Sequence, residues 1–300
     1  MKISNELIRM HEEITRGITE ENHQEMAVSI AEKSAAARAA EAMPCDRSEL
    51  EAMGVNIAKL DALEREQNEI SHGELEATIA NMDELSQLPV DLDGGLDVSS
   101  ALLPPDTFKL EPSWSGVFSD DDQQDSLISA QSTLSRNFLG CRNLWNSANG
   151  GGWGCTGGVG SITSHAEFGF WFRPAVTKFY SIRPLFRFRG YYTVKANDKW
   201  YNCKHAKSVI TVQTNCYQYN WKGWNSVNVL NERGGNINRT RRFDIDRHTN
   251  NSYLLAGGDW AFVRARIQLH ARAQGGGSYV KNDFSTGAAN YLCVPHVHVF

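Results

Sequence analysis

Four groups of residues have types and spacings that could do chemistry. Arg264, Arg266 and Arg272 share parity in AFVRARIQLHAR, and Arg183, Arg187 and Arg189 share parity in SIRPLFRFR. Alternate residues of a strand lie on one face, so each set should project together, the first with Gln268 and His270. If the two strands are neighbours, the sheet presents a guanidinium-covered outer face. Arginine's planar fork holds carboxylate or phosphate bidentately, so such a face suits anion binding or protein docking. The plainer reading is an ordinary solvated sheet face. The second group is YQYNWKGWNSVNVLN, residues 217–231, where Tyr217, Tyr219, Trp221 and Trp224 stand beside Asn225. Sugar sites stack pyranose rings on aromatic faces and hold hydroxyls with amides, so these five residues are candidate glycan contacts. Hydrophobic core plus a turn is the plainer account, and an exposed Trp221 or Trp224 favours the sugar.

The third group is His296-x-His298 in the closing stretch CVPHVHVF, which with His270 would give three metal ligands. A structural role is simpler, because Val297 and Val299 supply an apolar alternation and Pro295 marks an edge strand or bulge. The fourth is Asp244-x-Asp246 with His248, a set that could serve acid–base work or calcium. Arg241, Arg242 and Arg247 stand alongside, so salt bridging is the simpler expectation. The glycine-rich GGGWGCTGGVG lacks the Lys-Ser/Thr ending of a phosphate loop and precedes a strand pattern rather than a helix. No Ser/His/Asp or Cys/His set stands out by context. We therefore expect no enzyme and no cofactor.

Charge and aromaticity divide the chain at one place. Residues 1–125 hold 9 Lys+Arg against 28 Asp+Glu, residues 126–300 hold 21 against 7, and the whole carries −5. The first aromatic residue is Phe108, and all eight tryptophans lie at or after Trp114. Such asymmetry implies two modules with different partners, each other included. It disfavours nucleic acid as a partner: the basic residues alternate along strands rather than cluster, and the acidic segment repels a polyanion.

The elements that would position these groups follow from periodicity. Ile3, Leu7, Met10, Ile14 and Ile18 recur at helical steps, and a helix over residues 1–41 is expected, broken at Pro44. Ser48-x-x-Glu51 reads as a capping box opening a second helix with the stripe Leu50, Met53, Ile57, Leu60 and Leu63. Ser71-x-x-Glu74 is another, so a restart near His72-Gly73 is expected before Pro89 ends the pattern. Narrow aromatic-free stripes suit a helical hairpin or coiled coil. The stripes must pair within a hairpin, with other subunits or against the second module. Residues 89–125 are rich in Asp, Pro, Gly and Ser and read as a linker, pinned by Phe108, Leu110, Trp114 and Phe118. From about residue 130 the period is two. Strands are expected over 166–173, 182–189, 206–214 and 261–272, with short ones near 226–230, 252–256 and 291–299. Turns are expected at GGWGCTGG, KAND, NERGGNIN, AGGD and QGGGS.

These observations bound the protein. With 41% hydrophobic residues in 300, one sizeable core can form. No run of ~18 apolar residues exists to span a membrane. The first residues have no apolar h-region, so cytoplasmic synthesis is expected, with signal-independent export or incorporation in a particle as later fates. Of six cysteines, Cys203 and Cys216 could close a hairpin and Cys141 and Cys155 a loop, or each is a small buried hydrophobe. The expected fold is α+β in two segments: an acidic helical hairpin or coiled coil over 1–88, the 89–125 linker, and an antiparallel, jelly-roll-like sandwich over 126–300. The expected function is a non-enzymatic, self-assembling protein whose helices form a homo-oligomer. The alternative is a glycan- or receptor-binding module or toxin, and a third reading is a metal-dependent enzyme using His270, His296 and His298.

Overall fold

The computed structural model describes residues 5–41, 47–86, 104, 106–120, 139–151, 158–198, 203–286 and 290–300. Among the described residues, three helices precede the strands: α1 (Asn5–Glu41), α2 (Arg47–Ala52) and α3 (Ile57–Ser86). The strands begin with β1 (Phe108–Leu110), β2 (Trp114–Ser119), β3 (Cys141–Arg142), β4 (Leu144–Asn149), β5 (Val159–Phe172) and β6 (Lys178–Arg189). They continue with β7 (Tyr191–Asn197), β8 (His205–Gln218), β9 (Asn220–Trp221), β10 (Asn225–Gly234), β11 (Asn236–Arg242) and β12 (Ile245–His248). The last are β13 (Asn251–Leu255), β14 (Ala261–Gln274), β15 (Tyr279–Phe284), β16 (Tyr291–Cys293) and β17 (Val297–Val299). Every pairing among the described strands is antiparallel.

Three sheets build a sandwich. One is six-stranded, in the order β10-β8-β14-β5-β2 with β9 added to β8. A second runs β11-β7-β15-β4, and a third is organised on β6, which pairs with β12, β13, β16 and β17. β4 packs across β5 and β14, and β7 across β8. Period two explains the core between them. Val263, Ala265, Ile267, Leu269 and Ala271 of β14 lie beside Phe168, Phe170 and Phe172 of β5 and Ile210 and Val212 of β8, all in one buried cluster. The opposite faces of β5, β8 and β14 form the outer face of the six-stranded sheet.

The described residues do not show the helical hairpin expected for residues 1–88. α1 gives its buried stripe, Ile18, Asn22 and Met26, to the sandwich, packing beside β2. Of the three pairings open to that stripe, the one against the second module is realised. Self-association through α1 finds no support, because its apolar face is already covered. The second helix breaks at Gly54 rather than near His72-Gly73. Gly54 takes φ +84°, Val55 N–H donates to Leu50 O and Gly54 N–H to Glu51 O. Only glycine adopts that left-handed turn without strain, and the two bonds close α2 in a Schellman cap. Asn56 then caps α3 by accepting from Lys59 N at 3.0 Å.

Other expectations shift in the same way. Within the segment read as linker, Phe108–Leu110 pairs with β17 and Trp114–Ser119 with β5. KAND falls at the end of β7, and NERGGNIN holds the ends of β10 and β11 around Gly235. Both proposed cysteine pairings are replaced: Cys141 is bonded to Cys293, 152 residues away, and Cys216 is a free buried thiol. Cys203 is also disulfide-bonded. Pro44, Pro89, Cys45, Cys155 and most of the glycine-rich loop lie outside the described residues. No described helix is long and apolar enough to cross a membrane.

Candidate functional site

The outer face of the six-stranded sheet is polar at its centre, and α1 lies across it. Arg264 is 1% exposed and Arg266 is buried, and both converge on Glu167, itself 0% exposed. Register brings them together: Arg266 stands opposite Glu167 and Arg264 opposite Gly169. Glu167 accepts from Arg264 Nε at 2.7 Å, Arg264 Nη2 at 2.9 Å and Arg266 Nε at 2.6 Å. α1 supplies the remaining acceptors. Glu21 meets Arg264 Nη1 at 2.7 Å, Glu25 meets Arg266 Nη1 at 3.2 Å, and Asn22 Oδ1 accepts from Arg266 Nη2 at 2.9 Å. Trp224 lies under both guanidinium groups, at 4.8 Å from Arg264 and 4.7 Å from Arg266. Gly169 leaves room for the neighbouring Phe262 ring, which a Cβ there would meet at 2.2 Å.

Contacts at both ends hold the helix in register. Near its start, Trp171 Nε1 donates to His11 Nδ1 at 3.0 Å. Further along, Ser29 Oγ donates to Asp120 Oδ2 and Lys33 Nζ pairs with the same oxygen, each at 2.6 Å. From His11 to Lys33 a helix spans ~33 Å, so α1 is held along most of its described length.

The site carries a pH dependence. Asn22 Oδ1 can only accept, so His165 Nε2, 2.9 Å away, bears the ring proton. Burial drives the His165 pKa down from 6.5 to about 3, with Glu167 opposing and Arg266 and Arg264 reinforcing. For Glu167, burial alone would raise the pKa, but the two arginines outweigh it and the carboxyl is held below its ordinary value. Both shifts act in one direction. Between pH 6.5 and about 3 the unfolded chain binds a proton at residue 165 that the folded chain refuses, so stability falls as pH falls through that window. Stability from ionised Glu167 is present above the unfolded carboxylate value and is lost as pH drops through the lower folded one. Urea unfolding between pH 7 and 4 should show progressive destabilisation, and His165→Gln should flatten the upper part of that curve. An unchanged midpoint down to pH 4 would contradict the buried, neutral histidine.

At the β8–β9 edge, α1 and the sandwich form an open-sided cavity of about 270 Å³. The sandwich contributes the rings of Tyr217 and Trp221. The helix contributes Met10, Ile14 and Ile18 as an apolar floor, the carboxylates of Glu13 and Glu21, and Gly17. Tyr217 and Trp221 meet edge-on with centroids 5.3 Å apart, and Trp221 is 36% exposed. Tyr219 is 67% exposed, with φ 65° and its hydroxyl bonded to Asp259. A bulky residue held in the left-handed region is uncommon, and here it turns the chain from β8 into β9. Asn220 and Asn225 are exposed on the same edge. Of the five aromatic and amide residues singled out in this segment, Tyr217 and Trp221 line the cavity, Trp224 is taken up by the arginines, and Tyr219 and Asn225 are exposed without lining it.

The arginine sets do not form one face. Arg183, Arg187 and Arg189 belong to β6, in a different sheet from Arg264, Arg266 and Arg272 of β14. Arg187 and Arg189 are committed to Asp246, at 3.0 and 2.9 Å, and Arg242 pairs with Asp244. Those arginines hold the Asp246 carboxyl below its ordinary value against the effect of burial, so this Asp pair is structural. Arg272 is exposed. The three histidines do not assemble either: His270 bonds Thr163 Oγ1 at 3.1 Å on the outer face of the six-stranded sheet. His298 lies within β17 and His296 just before it, with ring centroids 4.5 Å apart. Among the described residues no group of His, Cys, Asp and Glu could hold a metal ion. Burial pushes the Cys216 thiol up to about 12, which leaves it unreactive.

The residues that sequence reasoning missed are Asn22 and Glu167. Asn22 continues the helical step from Ile14 and Ile18 to Met26, so its position marked the buried face, although its polarity did not. Glu167 sits on the outward-facing parity of β5, but nothing local shows that two arginines about a hundred residues later lie against it.

Fold and site together define the class: an antiparallel β-sandwich whose outer sheet face is sealed by a long amphipathic helix, with an aromatic and acidic cavity at the seam. No family model and no curated protein matches the chain. Among solved structures it is similar to TmCBM61 in complex with beta-1,4-galactotriose, at 8% identity over 65% of this chain and 88% of that one, with a TM-score of 0.18. It is also similar to a chain from a study of CBM4 structure and function, at 12% identity over 45% and 84%, with a TM-score of 0.15. Overlaps that loose decide nothing about fold or ligand.

Proposed function

We propose that this protein is a non-catalytic carbohydrate-binding protein whose sugar sits in the cavity between α1 and the Tyr217–Trp221 edge. The observation that carries this reading is the cavity's composition. Two aromatic rings, which pack against the apolar side of a pyranose, and two carboxylates, which accept from hydroxyls, line it together. Sugar sites combine aromatic rings with a few placed polar groups, and this cavity is lined by both. The acids and histidines that could have suggested catalysis are engaged in salt bridges or separated between sheets, which supports a binding role. The disulfides at Cys141–Cys293 and at Cys203 support maturation in an oxidising compartment.

A glycan array followed by calorimetry on the best binder tests the reading. Trp221→Ala should weaken binding at least tenfold with the circular dichroism spectrum unchanged. Full affinity in that variant, or silence across the array, would overturn the proposal.

A further inference from the structure

The seam between α1 and the sheet is closed by groups that take up protons. Of the described side chains of α1, only Ile18, Asn22 and Met26 are buried, so two apolar side chains of the helix are fully taken into the seam. His165, 0% exposed, lies at its centre. Asn22 of α1 faces its Nε2 at 2.9 Å, and Glu167 of its own strand stands 3.5 Å from the same atom. Phe118 of β2 packs on its ring with centroids 5.3 Å apart, and His23 of α1 meets Phe118 edge-on. Arg264 and Arg266 of β14 stand beside it, paired with Glu21 and Glu25 of α1. Nε2 already donates to Asn22, and Nδ1 is buried without a hydrogen-bond partner among the described residues. A second proton would need an acceptor at Nδ1 and would set a positive charge beside two guanidinium groups. The closed seam therefore takes only the neutral ring. His11 is constrained in its own way. Trp171 Nε1 can only donate, so the His11 Nδ1 that faces it at 3.0 Å must be bare. Protonating that nitrogen would set N–H against N–H.

We infer that α1 is a proton-released strap: in mild acid it leaves the sheet while the sandwich stays folded, and the cavity it walls comes apart with it. Lifting α1 removes Asn22 from His165 and Trp171 from His11, and a solvated imidazole binds a proton in the range between pH 5 and 8. Opening thus takes up protons, and each one raises the open-to-closed ratio by up to about tenfold per pH unit of acidification. Neutral pH favours the closed strap, and the closed form is lost as pH falls. The core under the sheet, from Phe168 to Ile267, is apolar and does not change charge in this range. The strap stands on the seam alone, and only its consequence for a bound ligand rests on the carbohydrate-binding reading above.

Hydrogen exchange of the full chain at pH 7 and pH 5, corrected for the intrinsic rate at each pH, tests the strap. Protection in residues 11–33 of α1 should fall at least about tenfold from pH 7 to pH 5, while β8 and β14 keep theirs. In the double variant His11→Gln, His165→Gln the amides supply both hydrogen bonds and bind no proton, so the same ratio should stay under about threefold. The ratio is taken within each chain, so a variant less stable at both pH values still decides the question. Calorimetry with the best binder from the glycan array should show an affinity loss of at least about tenfold at pH 5 in the parent, and under about threefold in the double variant. Unchanged protection of α1 at pH 5 would overturn the strap, and so would α1 and β14 losing protection together, which is global unfolding. A double variant that keeps the parent's ratio would place the proton uptake elsewhere and overturn it too. A silent glycan array would overturn the carbohydrate reading and leave the strap to the exchange result. Equal affinity at both pH values with α1 open would place the ligand off the helix and overturn the link between strap and cavity.

Discussion

Glu167→Gln is expected to destabilise the fold by about 3–5 kcal/mol, the range for removing one partner of a buried ion pair. The amide keeps the shape of the side chain but removes the charge that two guanidinium groups share. Arg264 has 1% of its surface exposed and cannot recover solvation by turning outward. Its remaining carboxylate partner is Glu21, and that of Arg266 is Glu25, both more than a third exposed and therefore weaker. The loss should appear as a lower urea midpoint and a Tm lower by on the order of 10 °C. Glu25→Gln is the matched control and should cost under about 1 kcal/mol, since its carboxylate faces water. A Glu167→Gln chain within 1 kcal/mol of the parent would show that the cluster is hydrated and that α1 does not seal it. A buried charge cluster adds little net stability compared with apolar residues of the same volume. Its consequence here is specificity: Glu21, Asn22 and Glu25 match the two arginines in only one register of the helix on the sheet.

The second large effect concerns the Cys141–Cys293 bond. Cross-linking residues 152 apart removes about 5 kcal/mol of chain entropy from the unfolded state in the simplest treatment, and measured losses on removing native disulfides run about 2–5 kcal/mol. The bond joins β3 to β16, strands of two and three residues that stand in direct register. So short a ladder has few hydrogen bonds of its own. The double variant Cys141→Ser, Cys293→Ser should therefore unfold at markedly lower urea. Reducing agent should shift the parent in the same direction. A variant as stable as the oxidised parent would show that β3 is held by packing alone. Cys216 should stay unreactive toward thiol reagents in either state until the chain unfolds.

How much could be read beforehand varies with the physics of each segment. β5, β6, β8 and β14 were legible because one face of each meets the core, so apolar and polar residues alternate. β7 was missed because Tyr191, Tyr192, Thr193 and Val194 are all buried, which erases the alternation. β11 was missed for the opposite reason, since an Asn- and Arg-rich sequence resembles a turn until its pairing with β7 is known. The helices were legible as helices, but their partner was not. A stripe of Ile, Met and Ala fits a coiled-coil seam and a sheet face equally well, and Asn22 at its centre signals the sheet only once Arg266 is known to be there. The arginine parity on β14 was correct, while its setting was not. A docking face and plain solvation were both open, and Glu167 of the sheet with Glu21 and Glu25 of α1 occupy the face. Trp221 and Trp224 show the limit for the binding site: three residues apart and alike in sequence, Trp224 stacks under two cations, while Trp221 meets only Arg264 and also borders the cavity.

Hydrogen exchange of the full chain, with and without a bound glycan, tests the central claim most directly, because the site is made by two parts of the chain that meet only when α1 lies on the sheet. Ligand should slow exchange together in residues 10–21 of α1 and in residues 217–221 at the sheet edge, with the rest of the sandwich unchanged. Protection confined to one of those segments, or appearing on the β6 sheet instead, would contradict a shared cavity at the seam.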